Sequence, residues 1–404
     1  MKPQDKARHL RPLIERAAVS LPDEDALEAV ELFPVWQADT EYAADERIRY
    51  GGKLYRVVQN HTSQADWTPD VTPALYTEIA EPGQGTKDNP IPYSGNMALE
   101  KGIHVYSSYE DLLADPTVEI VTVAVPNDSH LPLSIQAMRA GKNVISEKPV
   151  AMNSGELAEM IACSKETGRV FSVHQNRRWD ADFLMAKQLY ESGELGDIFC
   201  IESRVHGSRG IPGDWRGKQE HGGGMILDWG VHLIDQILQI VGDRKLEELY
   251  CRCDHVTNYE VDDGFKLDMY FENELTVRVE VGTSNFISMN RWYILGTNGT
   301  ARMRNWRDDC NIVSCKNWSE KDVVPVVTAA GLTKTMAPRD DKTITESKIS
   351  LPASDVHDYY RNFCRAIDGV EPQIVTHEQM MRVMKVMEAA FLSDKLGLPV
   401  KVED

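Results

Sequence analysis

The sequence predicts an α/β fold joined to an α+β one: a doubly wound parallel sheet, then a large, mostly antiparallel sheet with closing helices. A small N-terminal helical segment and β-module precede them. Three observations carry this reading. Apolar, β-branched runs alternate with helix-like stretches from Glu119 to Val173, the pattern of a parallel sheet with crossover helices. Beyond Trp179, strand-like runs follow one another with few helices between them. Residues 32 to 79 are instead short-period and aromatic.

Composition narrows the function classes. The chain has 404 residues, 42% hydrophobic and 26% charged, which is ordinary for globular domains. The formal net charge of −19 disfavours nucleic acid and anionic lipid as partners. No apolar run approaches the roughly 18 residues that cross a bilayer, and residues 1–23 lack the apolar core of a secretion signal. Seven cysteines occur, none at zinc-finger spacing, so no metal site is expected. Reduced thiols and a cytoplasmic location fit this usage.

In chain order, Leu10, Leu13 and Ile14, then Ala26, Leu27 and Val30, fall at helical spacing within a segment 1–31. Residues 32–80 form the aromatic β-module, with Tyr50-Gly51-Gly52-Lys53 turning between two short strands. Residues 81–102, rich in Pro and Gly, read as a linker. Residues 103–178 carry the parallel sheet. Tyr109–Ala114 is a short helix, Glu119–Val125 a buried strand, and His130–Ala140 a helix stopped by Gly141. Asn143–Ser146, helix Ser154–Thr167 and strand Val170–Val173 follow. Residues 179–404 form the second body. Its expected strands are Ile198–Val205, Glu247–Val256, Phe265–Phe271, Leu275–Val281 and Trp292–Leu295. Helices are expected at Phe183–Glu194, Asp355–Asp368 and Glu378–Leu396, and Lys316–Lys348 reads as an irregular surface excursion.

Two segments carry chemistry. Lys148, in Glu147-Lys148-Pro149, follows a buried parallel strand at the carboxyl end, where such sheets bind ligands. About 80 residues later stands Gly222-Gly-Gly-Met-Ile-Leu-Asp228-Trp-Gly-Val-His232. Asp228 and His232 are four apart, hence on one helix face, where a carboxylate can orient an imidazole. A solvated lysine, a helix cap and a satisfied core histidine are the bland readings of each residue taken singly.

The two segments together resemble the glucose–fructose oxidoreductase / inositol dehydrogenase (Gfo/Idh/MocA) family, over about three quarters of the chain from Ile103 onward. The resemblance implies a Rossmann-type sheet, NAD or NADP as cofactor, and a sugar, polyol or glycoside hydroxyl as substrate. It also implies roles: Lys148 and His232 handle the hydroxyl proton, and Asp228 binds a substrate hydroxyl and orients His232. Pro126, Asn127, His130, Glu147 and Lys148 would line the nicotinamide–ribose side, with Asn176, Arg177, Trp215 and Arg216 facing the same cleft. His357 and Tyr359 are weaker substrate contacts, for which helix packing is the competing reading. Family members open with a strand, a Gly-x-Gly-x-x-Gly turn and a helix. Before Ile103 the nearest match, Gly83-Gln-Gly85, leads into Asn89-Pro90 and opens no helix. A Rossmann sheet truncated by its first βαβ unit is therefore expected, with weak cofactor binding. Residues 32–80, through Tyr42, Tyr50–Tyr55, Trp67-Thr-Pro69 and Tyr76, resemble family 5/12 chitin-binding modules, which recur in phage-tail proteins. Their rings either stack on a glycan or form the module's own core. The alternative reading of the whole is a non-catalytic carbohydrate- or partner-binding chimera of a phage-tail-like module and a degenerate oxidoreductase. A homo-oligomer through the large sheet is a further expectation.

Overall fold

The computed structural model describes residues 21, 26–27, 29–72, 75–79, 103–315, 318, 325–333, 339 and 341–402. Most of the N-terminal helical reading and the whole linker reading of 81–102 lie outside them. The chain divides into two compact units, Met1–Leu112 and Leu113–Asp404.

In the first unit, β1 (Glu41–Tyr42) pairs with β4 (His61–Thr62), and β2 (Arg47–Tyr50), β3 (Lys53–Val57) and β5 (Tyr76–Ile79) form an antiparallel sheet. Gly51 and Gly52 have φ of 59° and 81°, which a tight primed hairpin turn requires at both central positions. Tyr42, Ile48, Tyr55, Val57, Leu75 and Tyr76 are buried together, with Trp36, Tyr50 and Trp67 packed against them half-buried. The Trp36 indole donates to the Tyr76 hydroxyl at 2.9 Å. Most of the rings thus build the module's own core.

The second unit holds a parallel sheet of β6 (Ile120–Val123), β7 (Asn143–Ser146) and β8 (Phe171–Val173), in that order. A short helix α1 (Tyr109–Ala114) falls across the boundary between units. Helices α2 (His130–Arg139) and α3 (Ser154–Thr167) are the crossovers. Asn153 caps α3 by accepting the Glu156 N–H, and Gly168 ends it at φ 65°. Every β7 residue is buried, as a central parallel strand should be. Among the described residues no strand pairs with the far edge of β6.

After helix α4 (Ala181–Ser192) comes a nine-stranded sheet. Its members are β9 (Ile198–His206), β10 (Leu246–Asp254), β11 (Gly264–Phe271), β12 (Leu275–Gly282), β13 (Trp292–Gly296), β14 (Gly299–Met303), β15 (Cys310–Cys315), β18 (Ile344–Ile349) and β19 (Val400–Lys401). Its order is β18-β15-β14-β13-β9-β12-β11-β10-β19, parallel at β9–β12 and antiparallel elsewhere. One face buries alternate residues such as Leu249, Cys251, Leu267 and Val279, with helices α5 (Val231–Val241) and α7 (His377–Leu396) packed on the sheet, and Trp292 packs against α4, donating its indole N–H to Asp182. Helix α6 (His357–Ile367) precedes α7.

The reading of Lys316–Lys348 as irregular needs correction. It contains the hairpin β16 (Val326–Thr328) and β17 (Gly331–Thr333), and its last residues enter edge strand β18, paired with β15. An edge strand exposed on one face has four polar residues in six here, so it gives little hydrophobic alternation to read. Strands β14 and β15, interior to the sheet, are absent from the expected strands because each buries only two residues.

Candidate active site

The carboxyl ends of β6 and β7 open onto a cavity of about 390 Å³ lined by Ala124, Val125, Pro126, Asn127, Glu147, Lys148, Trp215, Arg216 and Asp228. Chain reversal at the end of each parallel strand leaves these loops free to face one crevice. Residues 80 positions apart meet there. The Lys148 Nζ donates to Asp228 Oδ1 at 2.6 Å and to the Asp228 carbonyl at 2.7 Å. Both side chains are 17% exposed. Arg216 Nε stands 3.7 Å from the same Oδ1, and its guanidinium lies over Trp215 and bonds Asp214.

Asp228 and His232 do not share one regular helix face. Ile226–Gly230 is a π-helical turn, and the α-helical α5 starts at Val231. The extra residue changes the angular spacing, so the four-residue interval no longer superposes the two side chains. Asp228 turns to Lys148, and among the described residues it makes no hydrogen bond to His232. The expected orienting contact is replaced by the lysine pair. His232 is 5% exposed, its Nδ1 has no partner among the described residues, and its ring lies 5.9 Å from Trp229. Burial, then the positive charges of Lys148, Arg177, His174 and Arg291, holds its pKa well below the ordinary 6.5. The imidazole is therefore neutral at pH 7.

The remaining expected residues divide. Pro126, Asn127, Glu147, Trp215 and Arg216 line the cavity with Lys148. Asn127 Nδ2 donates to the Gly222 carbonyl at 2.7 Å, while its Oδ1 is buried without a partner. His130 is fully buried behind the cavity. Its nitrogens reach the Pro149 carbonyl at 2.9 Å and the Val125 carbonyl at 3.0 Å, so it fastens the two lining loops together. Asn176 and Arg177 line a separate cavity of about 630 Å³ with Trp306 and His357. Tyr359 is 2% exposed, with its ring 4.9 Å from His174, which is helix packing.

Sequence reasoning missed the groups that hold the site. His174 Nδ1 lies 2.8 Å from Glu147 Oε1. Burial raises the Glu147 pKa, but the His174 hydrogen bond and charge outweigh it and leave the carboxyl below its usual range. Asp262 Oδ2 accepts the Ile226 N–H at 2.8 Å, and its carbonyl accepts that of Met225 at 3.0 Å. It thereby anchors the start of the π-turn that carries Asp228. Burial pushes the Asp262 pKa to about 7. Gly224, at φ 106°, packs on it: a Cβ there would stand 2.2 Å from Asp262 Oδ1. Nothing in the local pattern around Asp262 marks it, since its partners lie 36 residues earlier. Among the described residues no cluster of His, Cys, Asp and Glu is placed to hold a metal, and no helix is long and apolar enough to cross a membrane.

An NAD-type cofactor meets a partial fit. The cavity and its unpartnered Asn127 Oδ1 suit a small polar ring with hydroxyls at the nicotinamide–ribose end. Among the described residues no glycine-rich strand-to-helix turn cradles a pyrophosphate.

Residues 84–175 match the family model described as the oxidoreductase family NAD-binding Rossmann fold, GFO/IDH/MocA. Residues 183–302 match the GFO/IDH/MocA C-terminal domain. Residues 35–77 match carbohydrate-binding module family 5/12. An NAD-binding protein from Listeria innocua superposes with a TM-score of 0.73 at 42% identity, covering 76% of this chain and 88% of that one. Scyllo-inositol 2-dehydrogenase (NADP(+)) IolW of Bacillus subtilis is 28% identical over 302 residues, 74% of this chain and 83% of the relative. An uncharacterized oxidoreductase of Schizosaccharomyces pombe is 34% identical over 210 residues, 49% of this chain and 56% of the relative; the chain spans about half that relative's length. The two matched GFO/IDH/MocA family models, which together span just over half of the chain, and the 42%-identical structure place the chain in the Gfo/Idh/MocA family, with a family 5/12 carbohydrate-binding module match at its N-terminal side.

Proposed function

We propose that the chain is an NAD(P)-dependent oxidoreductase acting on a hydroxyl of a sugar, polyol or glycoside. The single observation that carries this reading is the contact of Lys148 with Asp228 beside the neutral, buried His232. An ammonium has three donors. Two are committed to Asp228, so the third is held in a fixed direction toward the cavity. It would hydrogen-bond the reacting oxygen and stabilise the negative charge that develops there. His232, uncharged and with a buried Nδ1 that has no partner among the described residues, would take the hydroxyl proton. Asp228 would keep Lys148 aimed. Pro126, Asn127, Glu147, Trp215 and Arg216 would hold the nicotinamide–ribose end of the cofactor, which when bound supplies the hydride acceptor. With only that end cradled, affinity for NADH weaker than micromolar is expected.

Relatives bearing such names as scyllo-inositol 2-dehydrogenase support a polyol substrate. The matched module, through half-buried Trp36, Tyr50 and Trp67, supports glycan contact as a secondary role. The outward sheet face, with Tyr270 and Val313 exposed, is where a second copy would seat. Seven unpaired cysteines support a reducing, cytoplasmic setting. The test is incubation with NAD+ or NADP+ and a panel of inositols, aldoses and glycosides, following nicotinamide absorbance. Reduction by the wild type and its loss in Lys148→Met are expected. Glycan retention without any reduction would favour the non-catalytic binding reading instead.

A further inference from the structure

A cavity of about 640 Å³ lies where α3, α7 and the turn from α5 into β10 meet. It shares no lining residue with the lysine cavity. Lys165, in its wall, stands in the last turn of α3, which returns the chain to the start of β8. His377, also in the wall, reaches the carbonyl of Phe171, the first residue of β8, at 3.1 Å. The cavity is therefore at the amino ends of the parallel strands, whereas Lys148 stands at their carboxyl ends.

Cations dominate its wall. Lys165, Lys245, Arg382 and Lys385 are set against two carboxylates, Asp243 and Glu378, in a chain whose formal net charge is −19. Glu378, Arg382 and Lys385 stand at i, i+4 and i+7 on α7 and so share one helix face. Glu378 is already engaged at the start of that helix. Hydrogen bonds from its own N–H and from the Thr376 hydroxyl, with smaller contributions from the charges of His377 and Lys165, hold its carboxyl below the usual range. The Arg382 guanidinium is fastened in place, donating to the Gly242 carbonyl at 2.5 Å and the Arg244 carbonyl at 2.7 Å. Those carbonyls position its charge without neutralising it. Lys165 and Lys245 are exposed, and among the described residues neither ammonium has a hydrogen-bond or ion-pair partner. Like charges gathered in this way repel one another and favour a bound anion. A phosphate offers several strong acceptor oxygens to ammonium and guanidinium donors. Ile161 and Met381, both half-buried, add apolar wall beside the cations, and the volume suits a small organic molecule.

We infer that this cavity binds a phosphorylated small organic molecule, with Lys165 and Lys245 gripping its phosphate and Ile161 and Met381 against its carbon skeleton. Such a ligand would tie α3 to α7 and to the entry of β10, bracing the second unit from the end away from Lys148. Titration calorimetry of the full chain with glucose 6-phosphate, glycerol 3-phosphate, inorganic phosphate and glucose, without cofactor, tests it. At least one of the two esters should bind at a single site, about tenfold more tightly than inorganic phosphate or glucose. Lys165→Gln and Lys245→Gln should each weaken that ester about tenfold, the loss of one charge-assisted hydrogen bond. Both change exposed positions and should unfold at the wild-type denaturant concentration. Lys187→Gln, on α4 and outside the cavity, should bind as the wild type does. Lys148→Met should also bind normally, so failure of the oxidoreductase reading leaves this result untouched. No binding of either ester, equal affinity for inorganic phosphate, an equal loss in Lys187→Gln, or loss of binding in Lys148→Met would overturn the inference.

Discussion

Replacing Gly224 with alanine should damage the site without touching a reacting group. The new Cβ would stand 2.2 Å from Asp262 Oδ1 and 3.2 Å from its Cγ, so the carboxylate must move. An alanine at φ 106° costs about 1–3 kcal/mol of backbone strain. Moving Asp262 strands the buried Ile226 N–H, about 1–3 kcal/mol more. A loss of about 2–6 kcal/mol follows, concentrated at the π-turn. Gly213→Ala is the matched control, since a Cβ there meets nothing within 4 Å. Denaturant unfolding gives the global loss, and amide exchange at residues 226–230 shows where it falls. Gly224→Ala within about 0.5 kcal/mol of wild type, with unchanged exchange at Ile226, would refute the account of how Asp228 is positioned.

Three further outcomes follow from the same geometry. Asp262 holds its proton up to about pH 7 in the folded chain against 3.8 ordinarily. The folded state therefore binds the extra proton, and the stability Asp262 contributes falls as pH rises from 3.8 to about 7. Asp262→Asn should flatten that slope in unfolding curves recorded across the window. His232 shifts the other way: the unfolded chain takes up its proton below 6.5 and the folded chain does not. The stability it contributes is present above 6.5 and falls as pH falls, a trend that His232→Gln should remove in the same measurement. Arg178 pairs with Asp235 through 2.8 and 2.6 Å hydrogen bonds, with side chains 5% and 2% exposed. Arg178→Met should cost about 3–5 kcal/mol by stranding the carboxylate, and Arg178→Met with Asp235→Leu should recover much of it.

The parallel sheet and its loops were legible because β6 lies in an apolar, β-branched run ended by Pro126-Asn127 and the short β7 follows the Gly141 helix stop and is ended by Glu147-Lys148. Lys148 and Asp228 could be paired from the motifs they stand in. The relation of Asp228 to His232 could not be read, because an α-helical interval and a π-turn carry the same residue spacing in sequence. Asp262 was illegible for another reason. Its importance is created by tertiary contacts with Ile226 and Gly224. The β14, β15 and β18 end of the large sheet hid behind polar residues, and α5, buried at ten of eleven positions, entered only through the interval between Asp228 and His232.

In the function proposed above, Lys148 and His232 strip a proton from an alcohol whose carbon surrenders a hydride. Incubating the chain with NAD+ or NADP+ and a polyol or glycoside deuterated at its carbinol carbons, then weighing the recovered nicotinamide, tests this directly. Deuterium carried into the reduced ring by the wild type, and none by Lys148→Met, is the expected result. Reduced nicotinamide free of deuterium, or equal labelling by the variant, would contradict it.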